Sequence, residues 1–104
     1  MKMILAALVL AASPVYADDA PAPSTCETVS KMAEKVMSGR QHGIPMREMM
    51  RIAEESDPVI RRIMVALTIE AFDKPQYSTP RYRLEEEIQF GSAAYLSCAK
   101  AIAD

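Results

Sequence analysis

The sequence predicts an all-α fold, a small four-helix up-and-down bundle stapled by one disulfide, Cys26–Cys98. Apolar residues recur at helical spacing in four segments of the chain. Proline and glycine stand at the boundaries between these segments, and no segment shows the alternation that is typical of a strand. The connections are short, and short connections favour antiparallel neighbouring helices.

Residues 1–17 are predicted to be a secretory signal peptide. Lys2 precedes a short apolar run, and Ser13-Pro14 break this run before a small residue, Ala17, at the cleavage position. The run is too short to span a bilayer, which needs roughly 20 residues. We therefore expect a periplasmic or secreted protein with no membrane anchor after cleavage.

The mature chain is expected to begin with a disordered tail and to continue as one domain. Residues 18–23, DDAPAP, are polar and rich in proline, a composition that cannot bury enough apolar surface to fold. Residues 24–104 then form a single helical domain.

The first two helices meet at a corner that glycine and proline define. Ser24 and Glu27 have the spacing of a capping box and predict the start of the first helix. Gly43 is expected to end it, because glycine after the last turn adopts a left-handed conformation at little cost. Pro45 is predicted as the first residue of the second helix, which stops by Ser56.

The starts of the last two helices are also predicted from a polar residue followed by proline. Asp57 is expected to cap the third helix, with Pro58 as its first residue. Residues 74–80 form a loop, and Thr79-Pro80 opens a long fourth helix that runs to about Ile102. Six residues at steps of three and four predict its buried stripe: Leu84, Ile88, Gly91, Tyr95, Cys98 and Ile102.

The two cysteines are predicted to pair with each other. An exported chain enters an oxidising compartment, where two thiols normally form a disulfide. A small domain gains most from such a bridge, and this one closes most of the chain into a loop. Two free thiols, or a bridge between molecules, are the alternatives.

Composition and motifs argue against two broad classes of function. The net charge of −2 makes nucleic-acid binding a poor fit, because phosphate contacts need clustered Lys and Arg. One histidine and no nucleophile motif argue against an enzyme. The adjacent carboxylates at 54–55 and 85–87 diverge around a helix and are expected to be solvated. We expect no cofactor.

A cluster of potential soft ligands lies at the first corner: His42, Met46, Met49 and Met50. Imidazole and thioethers are plausible Cu(I) ligands, which makes a copper-handling protein the alternative function. The breaks at Gly43 and Pro45 point these side chains in different directions, so core packing of the methionines is the preferred interpretation. No metal site is therefore predicted.

The loop before the fourth helix carries a candidate partner surface. Tyr77, Arg81, Tyr82 and Arg83 cluster there, and Tyr and Arg are enriched in hot spots of protein interfaces. The alternative is that the tyrosines only cover the end of the bundle.

An ion pair between Arg40 and Glu87 is predicted from the register of the disulfide. If helices 1 and 4 are antiparallel and joined at Cys26 and Cys98, Ala33 lies level with Gly91 and Arg40 lies level with the first turns of helix 4. An inward-facing charge needs a partner, and Glu87 is the expected one.

The order Cys26, Arg40-Gln41, Gly43-Ile44-Pro45-Met46 and Cys98 resembles that of small, uncharacterised exported helical proteins of proteobacteria and their phages. The resemblance implies a helical fold and an envelope location, and it implies no activity. Together with the residues, it leads us to expect a non-enzymatic helical module that binds another envelope or secreted protein as an inhibitor, adaptor or stress factor. The sequence leaves the oligomeric state open.

Overall fold

The computed structural model describes residues 23–103, and this part of the chain forms four α-helices and no strand. The helices are α1 (Pro23–Gln41), α2 (Met46–Glu54), α3 (Pro58–Phe72) and α4 (Pro80–Ala103). The predicted all-α fold with one disulfide is confirmed. None of the described helices is long and apolar enough to cross a membrane. The predicted signal peptide, 1–17, lies outside the described residues, as does the predicted tail except for Pro23, which begins α1.

The corner after α1 and the start of α3 follow the predicted chemistry. Gly43 adopts a φ of +86°, the left-handed conformation expected after a helix end. Its neighbour Ile44 donates its backbone N–H to Gly39 O at 3.0 Å, which closes the turn. At α3, the Asp57 carboxylate accepts from two backbone N–H groups at 3.1 Å and so caps the helix.

Two other helix starts differ from the prediction, by two residues at α1 and by one residue at α2. Because α1 begins at Pro23, Ser24 lies inside its first turn and is not the N-cap. Pro45 is the N-cap of α2 and not its first helical residue, and its backbone is extended. The Pro45 carbonyl accepts from the N–H groups of Glu48 and Met49, so this proline closes the first turn without a side-chain cap.

Helix α4 runs antiparallel along α1, and the disulfide joins the beginning of one to the end of the other. Cys26 and Cys98 are 72 residues apart in sequence and 5.4 Å apart at Cα. Farther along, Ser30 Oγ donates to Gly91 O at 2.8 Å, and the Glu34 side chain lies over Gly91. A Cβ at Gly91 would lie 2.6 Å from Glu34 Cγ, so glycine permits the close approach of α4 to α1 at this point.

The core lies between α1 and the three other helices, with α1 at the centre. Helix α3 packs on both α1 and α2, whereas α4 packs mainly on α1. The main cluster of buried core residues consists of Ala33, Val36, Met37, Met49, Leu67, Ala71 and Phe90.

The predicted buried stripe of α4 is only partly correct. Leu84, Ile88 and Tyr95 are exposed by 56%, 52% and 40%, whereas Phe90 and Gly91 are buried. The prediction was wrong for these three exposed residues because it assumed a closed bundle in which each helix meets two neighbours. Helix α4 meets chiefly one neighbour, and the contact at Gly91 turns the rest of the apolar stripe away from it.

Candidate functional site

An open apolar groove runs between α1, the corner that follows it, α2 and the first turns of α3. Its volume is about 370 Å³. Eight of its lining residues are apolar or glycine, and Lys35 is the single charged one. The lining residues are Met32, Lys35, Val36, Gly39, Ile44, Met49, Ile52, Ile60 and Met64.

Two glycines, Gly39 and Gly43, shape the groove at the corner between α1 and α2. A Cβ at Gly39 would lie 3.2 Å from Met49 Cε and 3.4 Å from Ile44 Cδ1, so the missing side chain lets α2 approach α1. The positive φ of Gly43 turns the chain sharply enough for α2 to begin three residues later. The groove therefore results from the corner between α1 and α2, which the sequence predicted.

Each of three helices contributes one methionine to the groove: Met32 from α1, Met49 from α2 and Met64 from α3. Methionine is flexible and polarisable, and surfaces rich in methionine can repack around different partners. Ile44 and Ile52 also line the groove and remain 39% and 44% exposed. The groove thus combines a deformable floor with an exposed apolar rim.

Lys35 is the one charged residue that lines the groove, whereas Glu48 and Arg51 of α2 line another surface of that helix. On α2, Arg51 pairs with Glu48 and, at 3.4 Å, with Glu55. The hydrogen bond to Glu48, followed by the charges of Glu48 and Glu55, raises the pKa of Arg51. Lys35, on the α1 side, forms none of the ion pairs of residues 23–103. The groove therefore offers one uncompensated cation beside a long apolar surface.

The structure does not bring the four predicted soft ligands together. Met49 lies in the groove, whereas Met46 and Met50 line a separate cleft on another side of α2. His42 is exposed, and its ring Nδ1 donates to Ser38 O at 2.7 Å. The copper hypothesis therefore gains no support from a shared pocket.

The corner is tied to the distant 73–79 loop by a residue whose role sequence reasoning missed. Gln41 is fully buried, and its amide donates to Pro75 O at 2.8 Å while its carbonyl oxygen accepts from Tyr77 N at 2.8 Å. Gln76 Nε2 in turn donates to Gln41 O at 3.3 Å. The only sequence signal was a glutamine in the last turn of an amphipathic helix, which is usually exposed.

The predicted ion pair between Arg40 and Glu87 does not form. Arg40 donates through Nε and Nη2 to Lys74 O, at 3.3 and 3.1 Å, and its guanidinium lies 4.8 Å from the centre of the Phe72 ring. Arg40 thus ties the corner to the end of α3 and not to α4, where the prediction placed its partner. A backbone carbonyl and an aromatic face satisfy the cation, so no carboxylate is needed.

The candidate partner surface at the start of α4 takes part in internal contacts, although Tyr82 remains 54% exposed. The Tyr77 and Tyr82 rings are 5.9 Å apart. Arg83 Nε donates to Tyr77 O at 2.8 Å, and Arg81 pairs with Glu85 at 3.4 Å. A role in partner binding stays a prediction for these four residues, and the structure shows Tyr82 and Arg83 in contact with Tyr77 of the loop.

The described residues show no constellation of catalytic groups. Both cysteines are in the disulfide. Between residues 23 and 103, no three His, Cys, Asp or Glu side chains lie close enough together to hold a metal ion. The apolar groove is therefore the best-formed candidate site.

Comparison with protein-family models, with curated proteins and with solved structures finds no match to this chain.

Proposed function

We propose that this protein is a non-enzymatic exported module that binds another envelope or secreted protein through the groove between α1, α2 and α3. The carrying observation is the lining of the groove, which is apolar apart from Lys35. The predicted signal peptide and the disulfide support an exported location. An inhibitor, an adaptor or a stress factor would all act through such a surface.

The occupant proposed for the groove is an amphipathic helix of the partner. A helix laid in an apolar groove inserts side chains spaced by three and four residues, which suits apolar lining residues such as Met32, Val36 and Met49. A carboxylate beside these apolar side chains would pair with Lys35. The partner segment is thus an acidic amphipathic helix.

A small amphiphile such as a fatty acid is the chief competing occupant. It too would present apolar carbons and a carboxylate. Small-ligand sites bury most of their ligand, however, and this groove is open along its length. Covering the exposed side chains of Ile44 and Ile52 requires a broader surface than one acyl chain, and this favours the helix.

Methionine methyl NMR gives a direct test, because the methionines report on separate surfaces. A synthetic amphipathic peptide with leucines at helical spacing and glutamates on one flank should shift the methyl signals of Met32, Met49 and Met64. Met46 and Met50 should stay unchanged, because they line a different surface. The same peptide with lysines in place of the glutamates should bind at least threefold more weakly, because it would meet Lys35.

The matched variants are Ile52→Glu, inside the groove, and Val59→Glu, which is 69% exposed outside it. Ile52→Glu should weaken peptide binding at least tenfold, because it places a charge on the apolar rim. Val59→Glu should leave binding unchanged. Shifts confined to Met46 and Met50, equal effects of both variants, or saturable binding of a fatty acid but of no peptide would contradict the proposal.

A further inference from the structure

Helix α4 carries a second apolar surface, separate from the groove. Leu84, Ile88, Tyr95 and Leu96 are exposed by 56%, 52%, 40% and 55%. These residues recur at helical spacing along one side of α4, which packs mainly on α1. We name these four residues the α4 stripe.

The exposed area of the α4 stripe is on the order of 400 Å², within the range in which apolar patches on monomers often mark an interaction site. A standard interface buries roughly 800 Å² on each partner. The stripe alone therefore supports a weak association and not an obligate one. We propose that its occupant is the same stripe of a second copy, with the two α4 helices antiparallel.

The distribution of large and small residues suits this pairing. Ser92 and Ala99 lie on the same side of α4 as Ile88 and Tyr95, by helical spacing. An antiparallel register that sets Ile88 level with Ala99 of the second copy also sets Tyr95 level with Ser92 of the second copy. Each large side chain then faces a small one, which lets two helices approach closely and interlock.

Charge favours the antiparallel orientation over the parallel one. Glu85 lies near the start of α4 and Lys100 near its end, both on the side of the stripe that carries Leu96, by helical spacing. In the antiparallel register, Glu85 of one copy comes within one turn of Lys100 of the other, and the contact occurs twice by symmetry. A parallel pair would instead leave Glu85 and Lys100 about 15 residues apart along the helix axis and would lose this contact. Lys100 takes part in none of the ion pairs formed within residues 23–103, and Glu85 has only the exposed Arg81.

Sedimentation equilibrium of the exported, disulfide-bonded protein tests the pairing. A concentration-dependent monomer–dimer equilibrium is expected, with a dissociation constant on the order of 0.1 mM. Ile88→Glu should raise that constant at least tenfold, because it places two like charges in an apolar contact. Val59→Glu, an exposed change on α3, adds the same charge away from the stripe and should leave the constant unchanged.

An exchange of the charges at Glu85 and Lys100 distinguishes the antiparallel register from nonspecific apolar association. Glu85→Lys and Lys100→Glu should each weaken the dimer at least threefold, and the double variant should restore it. Circular dichroism of each variant verifies that the fold is retained. A protein that remains monomeric at 1 mM, equal effects of Ile88→Glu and Val59→Glu, or a double variant weaker than either single one would overturn the proposal. The dimer uses the α4 stripe and the peptide uses the groove, so the failure of one proposal can be told from the failure of the other.

Discussion

The side chain of Gln41, at the end of α1, accepts a hydrogen bond from the backbone N–H of Tyr77, 36 residues later, at 2.8 Å. The same side chain donates to Pro75 O at 2.8 Å. One buried amide thus satisfies a donor and an acceptor of the loop that leads into α4. No buried side-chain nitrogen or oxygen among the described residues lacks a partner, so the network is complete.

Replacing Gln41 with leucine should lower the free energy of unfolding by about 2 to 4 kcal/mol. Leucine fills a similar volume but leaves Tyr77 N–H and Pro75 O without partners, and each orphaned group costs about 1–3 kcal/mol. Urea unfolding measures the change. Gln89→Leu, at an exposed position of α4, is the control and should change stability by less than about 0.5 kcal/mol. Equal effects of the two variants would mean that the buried amide contributes nothing.

Much of the architecture could be predicted because its signals are local. Asp57 caps α3 and Gly43 ends the turn after α1 through interactions with residues a few positions away, and these interactions leave a pattern in sequence. The Gln41 network could not be predicted in this way. Its partners come from a loop more than 30 residues distant, and no periodicity encodes them.

The partner of Arg40 illustrates the same limit. Register alone placed this residue level with the first turns of α4 and suggested Glu87. The guanidinium instead reaches Lys74 O and lies against Phe72, because the end of α3 packs closer to the corner. The groove was missed for a related reason. Sequence identified Met49 as a core residue but could not show that α2 leaves one side of the core open.

Two substitutions test whether the observed contacts of Arg40 or its predicted ion pair with Glu87 contributes to stability. Arg40→Ala should destabilise the fold by about 1 to 3 kcal/mol, because it removes two hydrogen bonds and a cation–π contact. Glu87→Ala should cost less than about 0.5 kcal/mol, since Glu87 takes part in no ion pair of the described chain. Thermal or urea unfolding of both proteins supplies the comparison. Equal and large losses of stability in the two variants would instead support the ion pair between Arg40 and Glu87.

Gly43→Ala should destabilise the fold by about 1 to 2 kcal/mol. A non-glycine residue at a φ of +86° brings its Cβ close to the following carbonyl oxygen. Gly43→Asn should cost less, because asparagine tolerates the left-handed region. The nearest neighbour of a Cβ at Gly43 is Gln76 Nε2 at 3.5 Å, so crowding is not the cause. If alanine and asparagine had the same small effect, backbone conformation would not limit this corner.

Opening the Cys26–Cys98 bridge should destabilise α4 more than the rest of the fold. The bond closes a loop of 72 residues, and loop entropy assigns about 4 kcal/mol to a loop of that length, an upper figure because real bridges often contribute less. Helix α4 packs mainly on α1, so few other contacts hold its last turns once the bridge is gone. The double variant Cys26→Ser/Cys98→Ser should therefore show a lower thermal midpoint. In amide hydrogen exchange, residues 92–103 should lose protection before α2 and α3 do.

Reduction of the native protein should reproduce both effects, which controls for the substitutions themselves. An unchanged midpoint with the bridge shown to be open, or a uniform loss of protection across all four helices, would contradict this account of how α4 is held.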